Sequence, residues 1–439
     1  SARWKVAYGG RGAGKCRAIG TKVIMYYGSL KKVEDIQLND LLMGPDCYPR
    51  KVLGTCRGKD TMWKINQTSG IDYVVNSAHI LSLKKSNSAI RENRYLEDHL
   101  ITNINVVEAS GKSNKWKDNF RGYRAGLLHF DEKEIFIDPW YLGAWLGDGK
   151  NNDTIIYSED EEVLKACEKY AFELGMQVSI YEGTVAGIKI ARKEGFLNNL
   201  RQNFIQYDLF ENKHIPFNYL INSEEIRLQV LAGLLDTDGY LHNNGYEITQ
   251  VSETLAKDIK YLADTLGFKT NIREKKTSCQ NGYVGTAFRL SINGDVWRIP
   301  CKISRKIVKK ENVNKNKDFL LSQIKIECVG EGEYAGFSLD GDHLFLLEDG
   351  TVTHNTEGFA EALIILARSR RLRILCLREF QNSIAESVHA TIKQKIFDMR
   401  LEDEFKITDS GIEHKFTGSE FLFKGLRYNI DAIKSLARI

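Results

Sequence analysis

A glycine-rich phosphate-binding loop that breaks off one residue before its end sets the terms on which this chain can fold. Gly9-Gly10-Arg11-Gly12-Ala13-Gly14-Lys15 fits such a loop up to the position where a Ser or Thr hydroxyl must hold Mg²⁺, and there the chain has Cys16. The missing residue comes 340 positions later as Thr356, directly behind Val352-Thr353-His354-Asn355. Setting Cys16 to Asn355 aside leaves Lys5-Val6-Ala7-Tyr8, the glycine loop, Thr356 and the amphipathic run Gly358 to Arg368, which reads as strand, loop and helix. One fold is thus interrupted by another, whose two ends are expected to meet.

Length and composition allow this nesting. The 439 residues suffice for about three domains. Hydrophobic residues at 42% and charged residues at 27% fit packed cores, and no run of about 18 apolar residues marks a membrane span. No signal peptide is visible; a start at Ser1-Ala2-Arg3-Trp4 without Met and an end at Ile439 without tail character suggest a piece of a longer protein. The net charge of +4 decides nothing about partners, and the local group Lys302, Arg305, Lys306, Lys309, Lys310, Lys315 and Lys317 reads either as a nucleic-acid contact or as a solvated face. The cysteines, at 16, 47, 56, 167, 279, 301, 328 and 376, form no CxxC pair and no metal spacing with His, so zinc and disulfides are not expected. Most read as small buried hydrophobes. Cys16 differs because it sits where another motif breaks.

The flanks 1–15 and 356–439 read as one α/β unit: after the loop helix come the strand Leu372 to Leu377 and a helix-period stretch from Ser383 to Met399, an alternation that implies a parallel sheet. Residues 16 to roughly 107 instead carry short strands such as Lys22 to Met25 and Ile71 to Val75, and residues 321–355 return to that style with Ile324 to Cys328 and His343 to Leu347. Between them lies a repeat. Tyr141-Leu142-Gly143-Ala144-Trp145-Leu146-Gly147-Asp148-Gly149 recurs 90 residues on in Val230-Leu231-Ala232-Gly233-Leu234-Leu235-Asp236-Thr237-Asp238-Gly239, and Phe172 to Met176 recurs 92 residues on at Asp264 to Phe268. Each copy reads as a motif helix, a strand hairpin, a second helix ending at a Gly cap and another hairpin.

The edges of the insert resemble an intein, the protein-splicing element, over all of Cys16 to Asn355. In that family the first residue attacks the preceding carbonyl, so the resemblance makes the Cys16 thiol the nucleophile that turns the Lys15 peptide bond into a thioester. Asn76-Ser77-Ala78-His79 looks like the internal TxxH motif with Asn76 in place of Thr; the resemblance gives His79 the task of protonating the leaving nitrogen of Cys16. His354-Asn355-Thr356 matches the terminal triad: Thr356 would take the acyl group, Asn355 would cyclise on its own carbonyl, and His354 would donate the proton. Tyr334 to Phe345 resembles the penultimate block, with His343 as its histidine, but Gly336 stands where Asp or Cys is usual, so whatever coordinates the first two steps must come from elsewhere. No cofactor is implied for splicing.

The repeated nonapeptide resembles the LAGLIDADG homing endonucleases, which are often lodged inside inteins. Gly143, Ala144, Ala232 and Gly233 would let two helices approach closely and bring Asp148 and Asp238 together to bind a divalent metal, Mg²⁺, at the scissile phosphates of double-stranded DNA, the homing site. Lys213-His214-Ile215-Pro216 resembles the family's KxIP element; Lys213 reads as a group that polarises phosphate or activates water, or as a solvated charge. Hairpins at Thr184 to Ile190 and Phe288 to Ile292 would contact bases in the major groove.

The flanks resemble the large terminase subunit of tailed bacteriophages through Tyr8 to Lys15 joined to Thr356 and through Ile374 to Ile384. On that resemblance Gly9, Gly10, Arg11, Gly12, Ala13 and Gly14 would wrap ATP phosphates, Lys15 would reach the β and γ oxygens, and Thr356 would ligate Mg²⁺. Phage DNA and other packaging-motor subunits would be its partners, no membrane is implied, and the setting would be the cytoplasm of a bacterial host cell, phage- or prophage-encoded. No acidic strand of the Walker B kind and no nuclease domain follow, so an incomplete motor is expected. The expected architecture is multidomain. It comprises an all-β Hint (horseshoe) splicing domain in two parts, 16–131 and 313–355, and an α+β pseudo-two-fold LAGLIDADG domain over 132–312, its repeats at about 132–220 and 221–312. Fragmentary α/β P-loop NTPase flanks, 1–15 and 356–439, complete it. Two other readings stay open: a cleavage-only processing domain, and a P-loop ATPase with an inert insertion.

Overall fold

The computed structural model describes residues 16–86, 100–191, 199–278, 284–312, 318–355, 358–378, 389–409 and 411–425. The chain divides into two compact units, Cys16–His354 and Ser1–Lys15 with Asn355–Ile439. The glycine loop, Thr356 and the stretch from Glu379 to Ile384 lie outside the described residues.

Two long strands form the spine of the first part of the insert. Pro49–Gln67 runs antiparallel to Ile324–Leu339, in register from Val52 opposite Leu339 to Gln67 opposite Ile324. Cys328 to Gly330 marks a bulge, where Gly330 takes φ +87°, a conformation that favours glycine. The short strand Arg17–Ala18 pairs on one side with Ala335 and Tyr334 and on the other with Val75, while Tyr73–Asn76 pairs with Met62 to Ile65. The four strands therefore close a ring, and Val52, Ile65, Val75, Ala335, Phe337 and Leu339 turn inward to the core with Val23, Leu42, Phe345 and Leu347. Strand expectations map onto Lys22–Ile24, Tyr73–Asn76 and Leu344–Leu346, and the strand expected to end at Cys328 runs on to Leu339. Two short helices break the all-strand pattern: Val106–Ser110 and Asn114–Asn119, each started by a side chain, of Asn105 and of Ser113, that accepts from the first-turn N–H groups. A final hairpin pairs Leu344–Leu346 with Val352–His354.

The repeated half centres on two helices, Pro139–Asp148 and Glu224–Thr237, buried along most of their lengths. Their contact is backbone to backbone: a Cβ on Gly143 would lie 2.1 Å from the Val230 carbonyl oxygen, and one on Gly233 would lie 2.0 Å from that of Trp140. Second helices, Glu161–Glu173 and Glu253–Thr265, give way to Gly175 and Gly267 at φ +66° and +81°, the expected glycine caps. The second copy carries a four-stranded sheet in the order Gly239–His242, Gly245–Gln250, Val284–Asn293, Lys269–Ser278. The first copy is shorter. Its first hairpin is reduced to Ile155–Tyr157 with a single bridge from Gly149 to Ile156, because the polar turn Lys150 to Asp153 fills the place of a strand. Arg124 and Asp264, their side chains each 2% exposed, pair at 2.9 Å, and the Tyr261 hydroxyl donates to the Gly28 carbonyl at 2.6 Å; both ties join the strand-rich part of the insert to the second helix of copy two.

The flank has the helix Gly358–Ser369, the strand Arg373–Arg378 and the helix Ala390–Asp398. Its sheet runs Arg373–Arg378, Ser419–Gly425, Gly411–His414, Phe405–Thr408, and only the first pair is parallel. The expected all-parallel sheet is corrected on this point: the short connections after Thr408 and His414 can only turn the chain back on itself, which makes hairpins. The helix expected from Ser383 is described from Ala390.

Candidate functional site

Residues from both ends of the insert meet in one buried cluster. Cys16, Asn76 and His79 are each no more than 2% exposed, and His354 is 8% exposed. Asn76 holds the first residue from both sides: the Cys16 N–H donates to its Oδ1 at 3.0 Å, and its own N–H donates to the Cys16 carbonyl at 3.1 Å. The residue that departs from the motif is thus the one seated on the nitrogen of the 15–16 peptide bond. His79 closes the turn that Asn76 opens, donating its N–H to the Asn76 carbonyl at 3.0 Å, and its Nε2 lies 3.5 Å from Thr353 Oγ1.

Arg17 ties the two ends. Its guanidinium lies 4.3 Å over the Phe345 ring, donates to Thr353 Oγ1, and reaches the His354 carbonyl at 3.5 Å. Burial pulls its pKa down to about 10, so it stays charged at neutral pH. The His343 ring packs 6.3 Å from that of His354, and His343 Nδ1 faces the Leu339 carbonyl at 2.8 Å.

A second thiol stands beside the first. Cys56 Sγ lies 3.4 Å from Cys16 Sγ. The hydrogen bond with Cys56 and then burial push the Cys16 thiol far above the usual range, while the same hydrogen bond brings Cys56 down. Gly336 lies between them in the sheet: it pairs with Cys56, its neighbour Ala335 pairs with Arg17, and a Cβ on it would fall 2.4 Å from Cys16 Sγ. Gly336 therefore leaves room for the Cys16 sulfur, and the Cys56 thiol stands on the adjoining strand.

The second cluster lies at the C-terminal ends of the two motif helices. A Cβ on Gly147 would sit 3.3 Å from the Cβ of Asp238, so the close helix approach brings the motif ends together. Burial, and then the neighbouring Asp148 carboxylate, raise Asp238 to about 6, while Gln250 Nε2 donates to it. Asp148 is also raised by burial, against the pull of Lys213 and Lys306. Lys213 is no solvated charge: its Nζ donates to the carbonyls of Gly147 at 3.2 Å and Gly149 at 2.8 Å, and burial lowers it to about 8. Lys306 does the same for the other helix, donating to Leu235, Asp236 and Thr237 carbonyls at 2.9, 2.6 and 3.3 Å. Its pKa is likewise lowered by burial. Both cations neutralise the negative end of a helix dipole. Asp236 has a structural task, accepting from Trp140 Nε1 and from the N–H groups of Lys302 and Ile303 at 2.8, 2.7 and 3.1 Å.

Sequence reasoning missed Cys56, Arg17 and Lys306. Lys306 could have been found, since it follows Lys213 by 93 residues, close to the repeat offset. Of the expected DNA-contacting hairpins, Phe288 to Ile292 lies within Val284–Asn293, where Arg289 stands across from Arg273. Strand structure in the other begins at Gly187.

Family models match three stretches of the chain. Residues 16–133 match the model described as Hom_end-associated Hint, residues 225–316 that of a LAGLIDADG-like domain, and residues 343–439 that of the phage terminase large subunit. Among curated proteins, the replicative DNA helicase DnaB of Mycobacterium intracellulare is 24% identical, with 89% of this chain and 67% of that protein covered. The catalytic subunit of the V-type proton ATPase of Candida tropicalis is 22% identical, covering 77% and 43%. The ATP-dependent DNA helicase Hel308 of Thermococcus kodakarensis is 23% identical, covering 71% and 30%. The chain thus spans from two thirds to less than a third of the length of these relatives. Among solved structures, I-DmoI with DNA and Ca is 15% identical over 36% of this chain and 82% of that one, with a TM-score of 0.27. The gp41-1 intein is 18% identical over 25% and 69%, with a TM-score of 0.18.

Proposed function

In a chain that carries an intein Hint domain with an embedded LAGLIDADG homing endonuclease and a terminase-like flank, we propose that residues 16–355 excise themselves and join Lys15 to Thr356. The observation that carries this is the buried cluster at the ends of the insert: Asn76 grips the Cys16 amide while Arg17 reaches Thr353 and His354. In the first step the Cys16 sulfur attacks the Lys15 carbonyl carbon, and the 15–16 C–N bond breaks. Asn76 Oδ1, accepting from the nitrogen, holds that bond in place; His79, one turn on, supplies the proton the nitrogen needs. The Thr356 hydroxyl then takes the acyl group from Cys16. Asn355 cyclises through its side-chain nitrogen, with His354, packed on His343, as the proton donor, and the ester rearranges to a peptide bond. Burial keeps water from the thioester, which favours transfer over hydrolysis.

The endonuclease reading assigns Asp148 and Asp238 to a divalent metal. Two oxygen-donor carboxylates that repel each other fit a hard cation such as Mg²⁺. Among the described residues no group of three or more His, Cys, Asp or Glu could hold a metal, so the remaining positions would fall to water and DNA phosphate. When bound, the ion supplies charge neutralisation at the scissile phosphate. Lys213 and Lys306 hold the two helix ends in place and add positive charge beside the carboxylates. Exposed Arg273 and Lys275 share one face of the long hairpin with Arg289, which pairs with Glu247, and offer positive charge to double-stranded DNA. For the host, joining would complete the phosphate loop with Thr356, giving an ATP- and Mg²⁺-binding motor part of the phage-packaging type, with phage DNA and other motor subunits as partners, in the bacterial cytoplasm.

Mass spectrometry of the expressed chain, beside Cys16→Ala and Asn355→Ala, tests the splicing reading. Excision gives the 16–355 insert and one joined flank, and each variant blocks it. A wild-type chain that stays at full mass overturns the reading; unjoined flanks would instead favour the cleavage-only alternative.

A further inference from the structure

A buried nucleophile faces a difficulty. Cys16 is 0% exposed, and its thiol holds its proton tightly, yet attack on the Lys15 carbonyl needs sulfur without that proton. Asn76 Oδ1 is occupied by the amide of Cys16, and His79 stands at Thr353. The group in contact with the attacking sulfur is the sulfur of Cys56, at 3.4 Å.

We propose that Cys56 is a catalytic residue of the first splicing step, the base that takes the proton of Cys16 as its sulfur attacks the carbonyl carbon of Lys15. The inference rests on the splicing reading. The Cys16 S–H bond breaks and its proton passes to the Cys56 thiolate, while the Cys16 sulfur forms the bond to carbon and the carbonyl oxygen takes up the electron pair. Collapse breaks the C–N bond, the pair moves to the nitrogen of Cys16, and the nitrogen gains one proton, from the Cys56 thiol or from His79. Delivery from Cys56 regenerates its thiolate.

Three features of the fold support the assignment. Register places Cys56 and Cys16 on either side of the Ile324–Leu339 strand, level with Gly336. Glycine there lets the sulfurs meet, because a Cβ would lie 2.4 Å from Cys16 Sγ. The charged and titratable groups acting on the pair are Arg17, Asp60 and Tyr334, and Tyr73–Asn76 brings only the neutral Asn76 against Cys16. Asp60 is engaged with the N–H and hydroxyl of Ser77, at 3.2 and 2.6 Å, so it is held away as a base. The hydrogen bond from Cys16 and then one from the Gly336 backbone favour the thiolate at Cys56, while Arg17 acts on Cys16.

The test uses the full chain with Asn355→Ala and Thr356→Ala, which lacks both the cyclising side chain and the acyl acceptor and so stops at the thioester, and reads hydroxylamine-induced release of residues 1–15 from pH 6 to 9. General-base assistance contributes a factor of about 100 or more, so adding Cys56→Ala should slow release by about that factor near pH 7. The deficit should stay constant while thiolate and hydroxide both rise about tenfold per pH unit, and shrink once Cys56 is fully ionised and only hydroxide still rises. Cys56→Ser, whose hydroxyl is too weak an acid to be ionised, should be as slow as Ala. Equal rates at all pH values, a deficit that grows as pH rises, or full rescue by Ser would each overturn the proposal. Asn cyclisation at Asn355, followed in a Cys16→Ala background, should be unchanged by Cys56→Ala; a parallel loss there would mean a structural role and overturn it as well. Absence of hydroxylamine-induced release from the chain with native Cys56 would instead overturn the splicing reading itself.

Discussion

Asn76 shows how far a single residue can be read from sequence. Its spacing from His79 placed it in a motif, yet only the fold shows that it holds the first amide from both sides. Asn76→Ala leaves a buried N–H without its acceptor, which costs about 1–3 kcal/mol. Thioester formation should slow about tenfold or more because the same contact orients the Cys16 amide as its C–N bond breaks, measured by the same hydroxylamine release. Asp238 carries a pH signature. Its folded pKa of about 6 lies above the unfolded value of about 3.9, so its contribution to stability is present at low pH and is lost as pH rises through 6. Thermal unfolding in chelator should show the wild type losing stability relative to Asp238→Asn between pH 4 and 7. Added Mg²⁺ should raise the wild-type midpoint at pH 7.5 and have little effect at pH 5; a midpoint indifferent to Mg²⁺ at both would remove the metal assignment. Cys56 and Arg17 were illegible for a physical reason: their partners are set by strand register, which no local spacing encodes.

At the scale of elements the repeat was legible because apolar spacing and small residues recur together. Close packing of the motif helices follows from Gly143 and Gly233, and their substitution is where the geometry speaks most sharply. Gly233→Ala drives a methyl into the Trp140 carbonyl, a contact between backbones that no side-chain rotation relieves. It should cost about 3 kcal/mol or more. Gly175→Ala, with open space but φ +66°, should cost about 1–2 kcal/mol. Denaturant unfolding of the two variants checks the order, and a reversal would mean that the helices separate easily. The shortened first copy was not legible, since Lys150 to Asp153 could have formed either a strand end or a turn. In the flank, alternation of helix and strand gave the parallel pair, and the short connections that follow gave hairpins that alternation alone does not announce.

The whole molecule turns on where the two ends of the insert are held. The closed ring of Arg17–Ala18, Tyr73–Asn76, Pro49–Gln67 and Ile324–Leu339 draws its strands from both sides of the endonuclease. Arg17→Met should keep packing on Phe345 while losing its reach to Thr353 and His354. Both cleavages should then proceed, with the ratio of unjoined to joined flanks raised in product masses; an unchanged ratio would show that Arg17 does not couple the ends. Every partner in that brace lies between Cys16 and Asn355. Cutting at both borders would therefore sever none of it, and the released segment would leave as a finished body with its own termini clasped, still holding the endonuclease on its scaffold.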